Sequence, residues 1–171
     1  GKFNVAIGEG SLASQNNTGT DIFNTAVGYA AGNAVSTGVQ NTLIGGLAAD
    51  SLTTGKNNVA VGYQALETED TGDRSVAIGS FALKTQNNDA DNYNTAVGYA
   101  AGLSVTTGTG NTFVGGLAGD GTDDGANNVA VGREALSGNA GNDNVAIGYE
   151  SMSAATGSTN TCVGQTTGMV I

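Results

Sequence analysis

The stretch NTAVGYAAG occupies residues 24–32 and recurs unchanged at 94–102, 70 residues further along the chain. Its first five residues return in looser form throughout: NVAIG (4–8), NTAVG (24–28), NTLIG (41–45), NVAVG (58–62), SVAIG (75–79), NTAVG (94–98), NTFVG (111–115), NVAVG (128–132), NVAIG (144–148) and NTCVG (160–164). Their closing glycines are Gly8, Gly28, Gly45, Gly62, Gly79, Gly98, Gly115, Gly132, Gly148 and Gly164, separated by 20, 17, 17, 17, 19, 17, 17, 16 and 16 residues. A fixed period of this length marks a repeat architecture. The two long steps carry insertions, SQNNTGTDIF (14–23) and KTQNNDADNY (84–93), so a period of four coils overlies the single one.

Within each unit the second and fourth positions are β-branched: Val5/Ile7, Thr25/Val27, Thr42/Ile44, Val59/Val61, Val76/Ile78, Thr95/Val97, Thr112/Val114, Val129/Val131, Val145/Ile147 and Thr161/Val163. Alternation with period two is the signature of a strand. The third position is usually Ala and the fifth always Gly, so neither face carries charge. That fits a strand covered on both sides, or packed on one and approached by a neighbouring chain on the other. Val5, Ile7, Val27, Ile44, Val61, Ile78, Val97, Val114, Val131, Ile147 and Val163 are assigned to the packed core.

Three residues after each glycine a small side chain recurs, as at Ser11, Ala31, Ala65 and Ala135, often followed by Leu or Met. These segments are too short for a helix and read as a turn or second brief strand. The links are rich in Gly, Asn, Thr and Ser, which supply tight corners. The expected fold is all-β: one repetitive domain spanning 1–171, a parallel β-solenoid of about ten coils stacked at about 4.8 Å, roughly 45–50 Å long. A coil of about 17 residues encloses little core by itself. Three chains side by side sharing one core is therefore the expected assembly, with a monomeric β-helix as the alternative.

Composition narrows the partners. The chain of 171 residues has 29 glycines, no histidine, proline or tryptophan, and a net charge of −10 from 15 acidic and 5 basic residues. An acidic surface is a poor partner for nucleic acid or anionic membranes, whose phosphates need Lys and Arg. No apolar run approaches a membrane span. The single Cys162 excludes an internal disulfide and reads as buried filler. Beginning GKFNVAIG, without an initiator Met or signal peptide, the chain reads as a processed product or an excised fragment.

The units resemble two groups of surface proteins. They are similar to the VAIG head repeats of trimeric autotransporter adhesins, and still more to the NTAVGYxAL…TGxxN repeats of phage tail fibres. The resemblance runs from Asn4 to Gly164. It implies a trimeric β-roll of left-handed coils on a virion tail or bacterial surface, with the Val and Ile positions packing the roll, the glycines permitting tight coiling and the corner loops facing solvent. It also implies that the ending GQTTGMVI lies near a junction with a self-cleaving chaperone.

No catalytic constellation stands out. Without histidine, Ser-His and Cys-His nucleophiles are excluded. The carboxylates Glu67, Glu69 and Asp70, or Asp123 and Asp124, could serve as an acid–base pair, but they sit in polar corners with nothing to raise a pKa. Solvated charge is the better account, and no enzyme activity is expected. Oxygen ligands for calcium are offered by Asp89, Asp91, Asp120, Asp123 and Asp124, although neither loop matches a calcium-binding pattern. No other cofactor is indicated.

Recognition is the more promising chemistry. Tyr29, Tyr63, Tyr99 and Tyr149 each follow a unit's glycine, where they stack on sugars or pack between chains. Asn16, Asn17, Asn87 and Asn88 lie in the two insertions, which are expected to project from one edge four coils apart. Three functions follow: an extracellular fibre or adhesin segment presenting loops to a glycan or protein receptor, a filament built by head-to-tail stacking of uncapped subunits, and an ice-binding solenoid. The last ranks lowest because Thr25, Thr42, Thr95, Thr112 and Thr161 do not form a Thr-x-Thr array.

Overall fold

The computed structural model describes residues 2–17 and 21–168. Ten three-residue strands follow one another: β1 (Val5–Ile7), β2 (Thr25–Val27), β3 (Thr42–Ile44), β4 (Val59–Val61), β5 (Val76–Ile78), β6 (Thr95–Val97), β7 (Thr112–Val114), β8 (Val129–Val131), β9 (Val145–Ile147) and β10 (Thr161–Val163). They pair in chain order as one parallel sheet, each strand joined in register to the equivalent residues of the next. This is a β-solenoid, with one strand per coil. The segments after the glycines are turns rather than second strands.

Backbone conformation explains why each strand stops after three residues. Each closing glycine has φ between 121° and 141°. Left-handed residues then recur at fixed places: five before, two after and four after that glycine, as at Gln40, Leu47 and Ala49 around Gly45. Among the described residues, 24 other than glycine have positive φ. Such a conformation costs about 1–2 kcal/mol for an L-residue. It is held because each coil hydrogen-bonds to the next, as in Gly45 N–H to the Val27 carbonyl at 2.8 Å and Leu47 N–H to the Tyr29 carbonyl at 2.8 Å.

The side chains assigned to the core face outward. In each internal strand the middle residue points in, and Ala26, Leu43, Ala60, Ala77, Ala96, Phe113, Ala130 and Ala146 are fully buried. Val27, Val61 and Val97 are half-buried, while Ile44, Ile78, Val114, Val131 and Ile147 are exposed on the outer face. In the end coils Val5, Ile7 and Val163 are exposed as well. The cause is geometric: a three-residue strand turns one side chain inward and two outward, and the narrow interior takes a methyl group more readily than a branched chain. The inward residues pack against Leu12, Leu52, Leu66, Leu83, Leu136 and Met152 from the turns.

Where the strand residue enlarges, the turn shrinks. A Cβ added at Gly32 would lie 2.5 Å from Leu43 Cδ1, and one at Gly119 would lie 2.5 Å from Phe113 Cε1. Val35 and Val105 fill the rest of the coils that carry Gly32 and Gly102. Volume is thus exchanged between residues that touch, across neighbouring coils for Leu43 and Gly32 and within one coil for Phe113 and Gly119, as close packing requires.

A polar ladder runs beside this core. Asn24, Asn41, Asn58, Asn94, Asn111, Asn128 and Asn144, the first residues of their units, are fully buried. The Asn41 backbone N–H donates to Asn24 Oδ1 at 2.9 Å, and Asn41 Nδ2 donates to the Gly55 carbonyl at 2.9 Å. Most coils repeat this pair of bonds. Ser75 interrupts the ladder, and Gln86 from the second insertion completes it by donating to Ser75 Oγ at 2.7 Å and accepting from Asn94 Nδ2 at 2.8 Å.

Candidate recognition surfaces

The outward face of the sheet carries no charged side chain at its strand positions. Its two rows are the second and fourth positions of the units, Thr or Val beside Val or Ile, from one end of the sheet to the other. The charges of this acidic chain lie on the turns and links.

The tyrosines border that face. Tyr29, Tyr63 and Tyr99 are 62%, 49% and 59% exposed. Tyr63 and Tyr99 both meet Phe81 edge to face, with centroids 5.6 and 5.8 Å apart. Lys84 Nζ lies 5.3 Å from the Phe81 ring centre and 3.3 Å from Glu67 Oε2. Tyr149 stands under the Arg133 guanidinium at 4.7 Å, and its hydroxyl accepts a 2.7 Å hydrogen bond from Arg133 Nη2. The hydrogen bond of Tyr149 with Glu150 outweighs Arg133 and raises the phenol above its usual 10.0.

The insertions are more firmly attached than their sequence suggests. Residues 18–20 of the first lie outside the described residues. In the second, Asn87 N–H donates to the Thr106 carbonyl and Asn88 Nδ2 to the Thr107 carbonyl, at 3.0 and 2.9 Å. Asn16 N–H and Asn17 Nδ2 reach Ser36 and Thr37 in the same way. These asparagines dock each insertion onto the following coil. Asn16 and Asn87 are nevertheless exposed, and in the second insertion Asp89, Ala90, Asp91 and Tyr93 are exposed beside Asn87. Arg74 ties them down through an ion pair with Asp91 and by lying 5.6 Å from the Tyr93 ring centre.

The candidate calcium ligands do not converge: among the described residues, no three His, Cys, Asp or Glu side chains are grouped to hold a metal. Asp89 accepts from Thr71 Oγ1 at 2.5 Å, Asp91 pairs with Arg74 and Asp123 accepts from Thr106. Asp124 is exposed. Burial, with a smaller contribution from Glu134, raises the Asp120 pKa above 3.8, and its Oδ1 is buried without a hydrogen-bond partner.

Glu69, expected to be a solvated corner carboxylate, is fully buried. Its Oε1 accepts from Gly72 N–H at 2.8 Å and Asp70 N–H at 3.2 Å. Its Oε2 accepts from Gln86 Nε2 at 2.8 Å and Asn92 Nδ2 at 3.0 Å. Four donors make it the keystone of the inserted coil. The only sequence signal was its place inside an Asn- and Gln-rich pair of coils.

No family model, curated protein or solved structure matches the chain.

Proposed function

We propose that this chain is a segment of a trimeric extracellular fibre or adhesin head, in which three solenoids meet through their sheets and present their corners to a receptor. The supporting observation is the charge-free outer face of the sheet. Ile44, Ile78, Val114, Val131 and Ile147 are 37–39% exposed, with the half-buried Val61 and Val97 standing between them in the same row, on a chain whose net charge is −10. Contiguous apolar surface of this kind marks an interaction site. Burying it in a three-fold core also supplies the apolar volume that each Ala-lined coil lacks.

Light scattering on the purified chain tests this reading. The expected mass is that of three chains of 16.7 kDa. Ile78→Lys and Val97→Lys place a charge on the shared face without touching the coil interior, so both are expected to yield folded monomers. A wild-type monomer overturns the trimer. It would leave the Thr25, Thr42, Thr95 and Thr112 side chains on a bare flat face, and inhibition of ice recrystallisation would become the assay. Rods lengthening with concentration would favour head-to-tail stacking into a filament.

A further inference from the structure

The corner beside the sheet carries a regular aromatic row. Parallel, in-register pairing from β2 through β6 keeps equivalent residues of successive coils in line. Tyr29, Tyr63 and Tyr99 each directly follow a strand-closing glycine. They stand on the second, fourth and sixth coils, two strand spacings or about 9.6 Å apart. The intervening coils place Gly46 and Ser80 at that position. Phe81 sits edge-on between Tyr63 and Tyr99, at an interplanar angle of 82° to each, and holds both rings. Beside it lies a polar rim: Lys84 Nζ is 3.3 Å from both Glu67 Oε2 and Gln64 Oε1.

We propose that this row binds an extended β-1,4-linked glycan of neutral pyranoses, lying parallel to the solenoid axis; the proposal deepens the reading of the chain as a receptor-binding fibre and rests on it. In such a glycan each sugar advances about as far as one coil, and successive sugars are turned over. The same C–H face therefore recurs at every second sugar, in step with tyrosines on every second coil. Aromatic faces take up that apolar surface, while Gln64, Glu67 and Lys84 offer donors and acceptors to the hydroxyls. The chain's net charge of −10 disfavours uronic-acid polymers. An α-1,4-linked glycan coils and loses the two-sugar register.

The test titrates the full chain with cellohexaose, N-acetylchitohexaose and maltohexaose by calorimetry, with the mass of each sample measured by light scattering. At least one β-1,4 hexamer is expected to bind, at least about tenfold more tightly than its dimer, and maltohexaose is not. Tyr63→Ala is expected to weaken binding by about tenfold, the scale of one aromatic stacking contact, whereas Tyr63→Phe keeps the affinity within about twofold. Absence of binding to both β-1,4 hexamers, equal binding of maltohexaose, or an unchanged affinity of Tyr63→Ala overturns the proposal. A trimer that binds none of the sugars overturns the glycan row alone. A monomer that binds cellohexaose overturns the trimer and leaves the row standing.

Discussion

Gln40 and Gly110 occupy the same place in successive 70-residue periods, five residues before a strand-closing glycine, with φ of 61° and 71°. One chain thus solves the same left-handed corner with and without a Cβ. Gln40 is exposed, so its backbone conformation dominates any exchange. Gln40→Gly is expected to stabilise the fold by up to about 1 kcal/mol, the relief of left-handed strain less the added chain entropy of glycine. Thermal or urea unfolding reads the sign directly, and a loss of stability would contradict the argument.

The strand-closing glycines are under a harder constraint. A Cβ at Gly62 would lie 2.5 Å from the carbonyl carbon of Gly79 in the next coil. Gly62→Ala is expected to separate two coils and cost more than about 3 kcal/mol, in the range reserved for strain and broken packing. Gly164 offers a control, because among the described residues its added Cβ meets the Thr167 side chain, at 3.2 Å from Cγ2, and no backbone. Its alanine variant keeps the unfavourable φ but not the clash, and the smaller loss should appear in denaturant midpoints.

Replacing the Glu69 carboxyl tests the inserted coil. Glu69→Gln turns an amide N–H₂ toward groups that are already donors, leaving at least one buried donor unsatisfied at a cost of about 1–3 kcal/mol. Hydrogen exchange should locate the loss around Gly72, Gln86 and Asn92. Protection unchanged at these amides would show that the four hydrogen bonds contribute little.

Stability should also carry a pH signature from Asp120. Burial chiefly, and the nearby Glu134 carboxylate to a smaller degree, outweigh the backbone hydrogen bonds to it and raise its pKa above the ordinary 3.8. A carboxyl with a higher pKa folded than unfolded favours the fold fully below about 3.8, and that contribution is lost as pH rises through the folded value. At neutral pH the ionised Asp120 therefore weighs against folding. Asp120→Asn is expected to raise the melting temperature at pH 7 but not at pH 3; equal shifts at both would exclude an ionisation effect.

The period, the strand positions and the role of the glycines were legible because spacing alone carries them. The facing of the strands was not. Alternation shows that Val5 and Ile7 share a side, but not which side is inside, and branched residues made the outer rows look like a core. The better signal was the reciprocity of Leu43 with Gly32 and of Phe113 with Gly119, since residues that trade volume share a packed space. The Asn ladder was hidden for a related reason: a polar residue at the start of a strand reads as a cap, while only its recurrence at nearly every coil hints at stacked amides. The position of Tyr63 and Tyr99 after the closing glycine reads equally as a sugar-stacking surface or an interchain contact, and their link through Phe81 depends on a side chain one place further along.

Every strand of this sheet pairs only with its immediate predecessor and successor. Removing or duplicating a whole 70-residue period would therefore reconnect equivalent residues and leave each surviving junction intact. Reach is then a separable trait: evolution or an engineer can lengthen the molecule like a telescoping mast, without redesigning any of its sections.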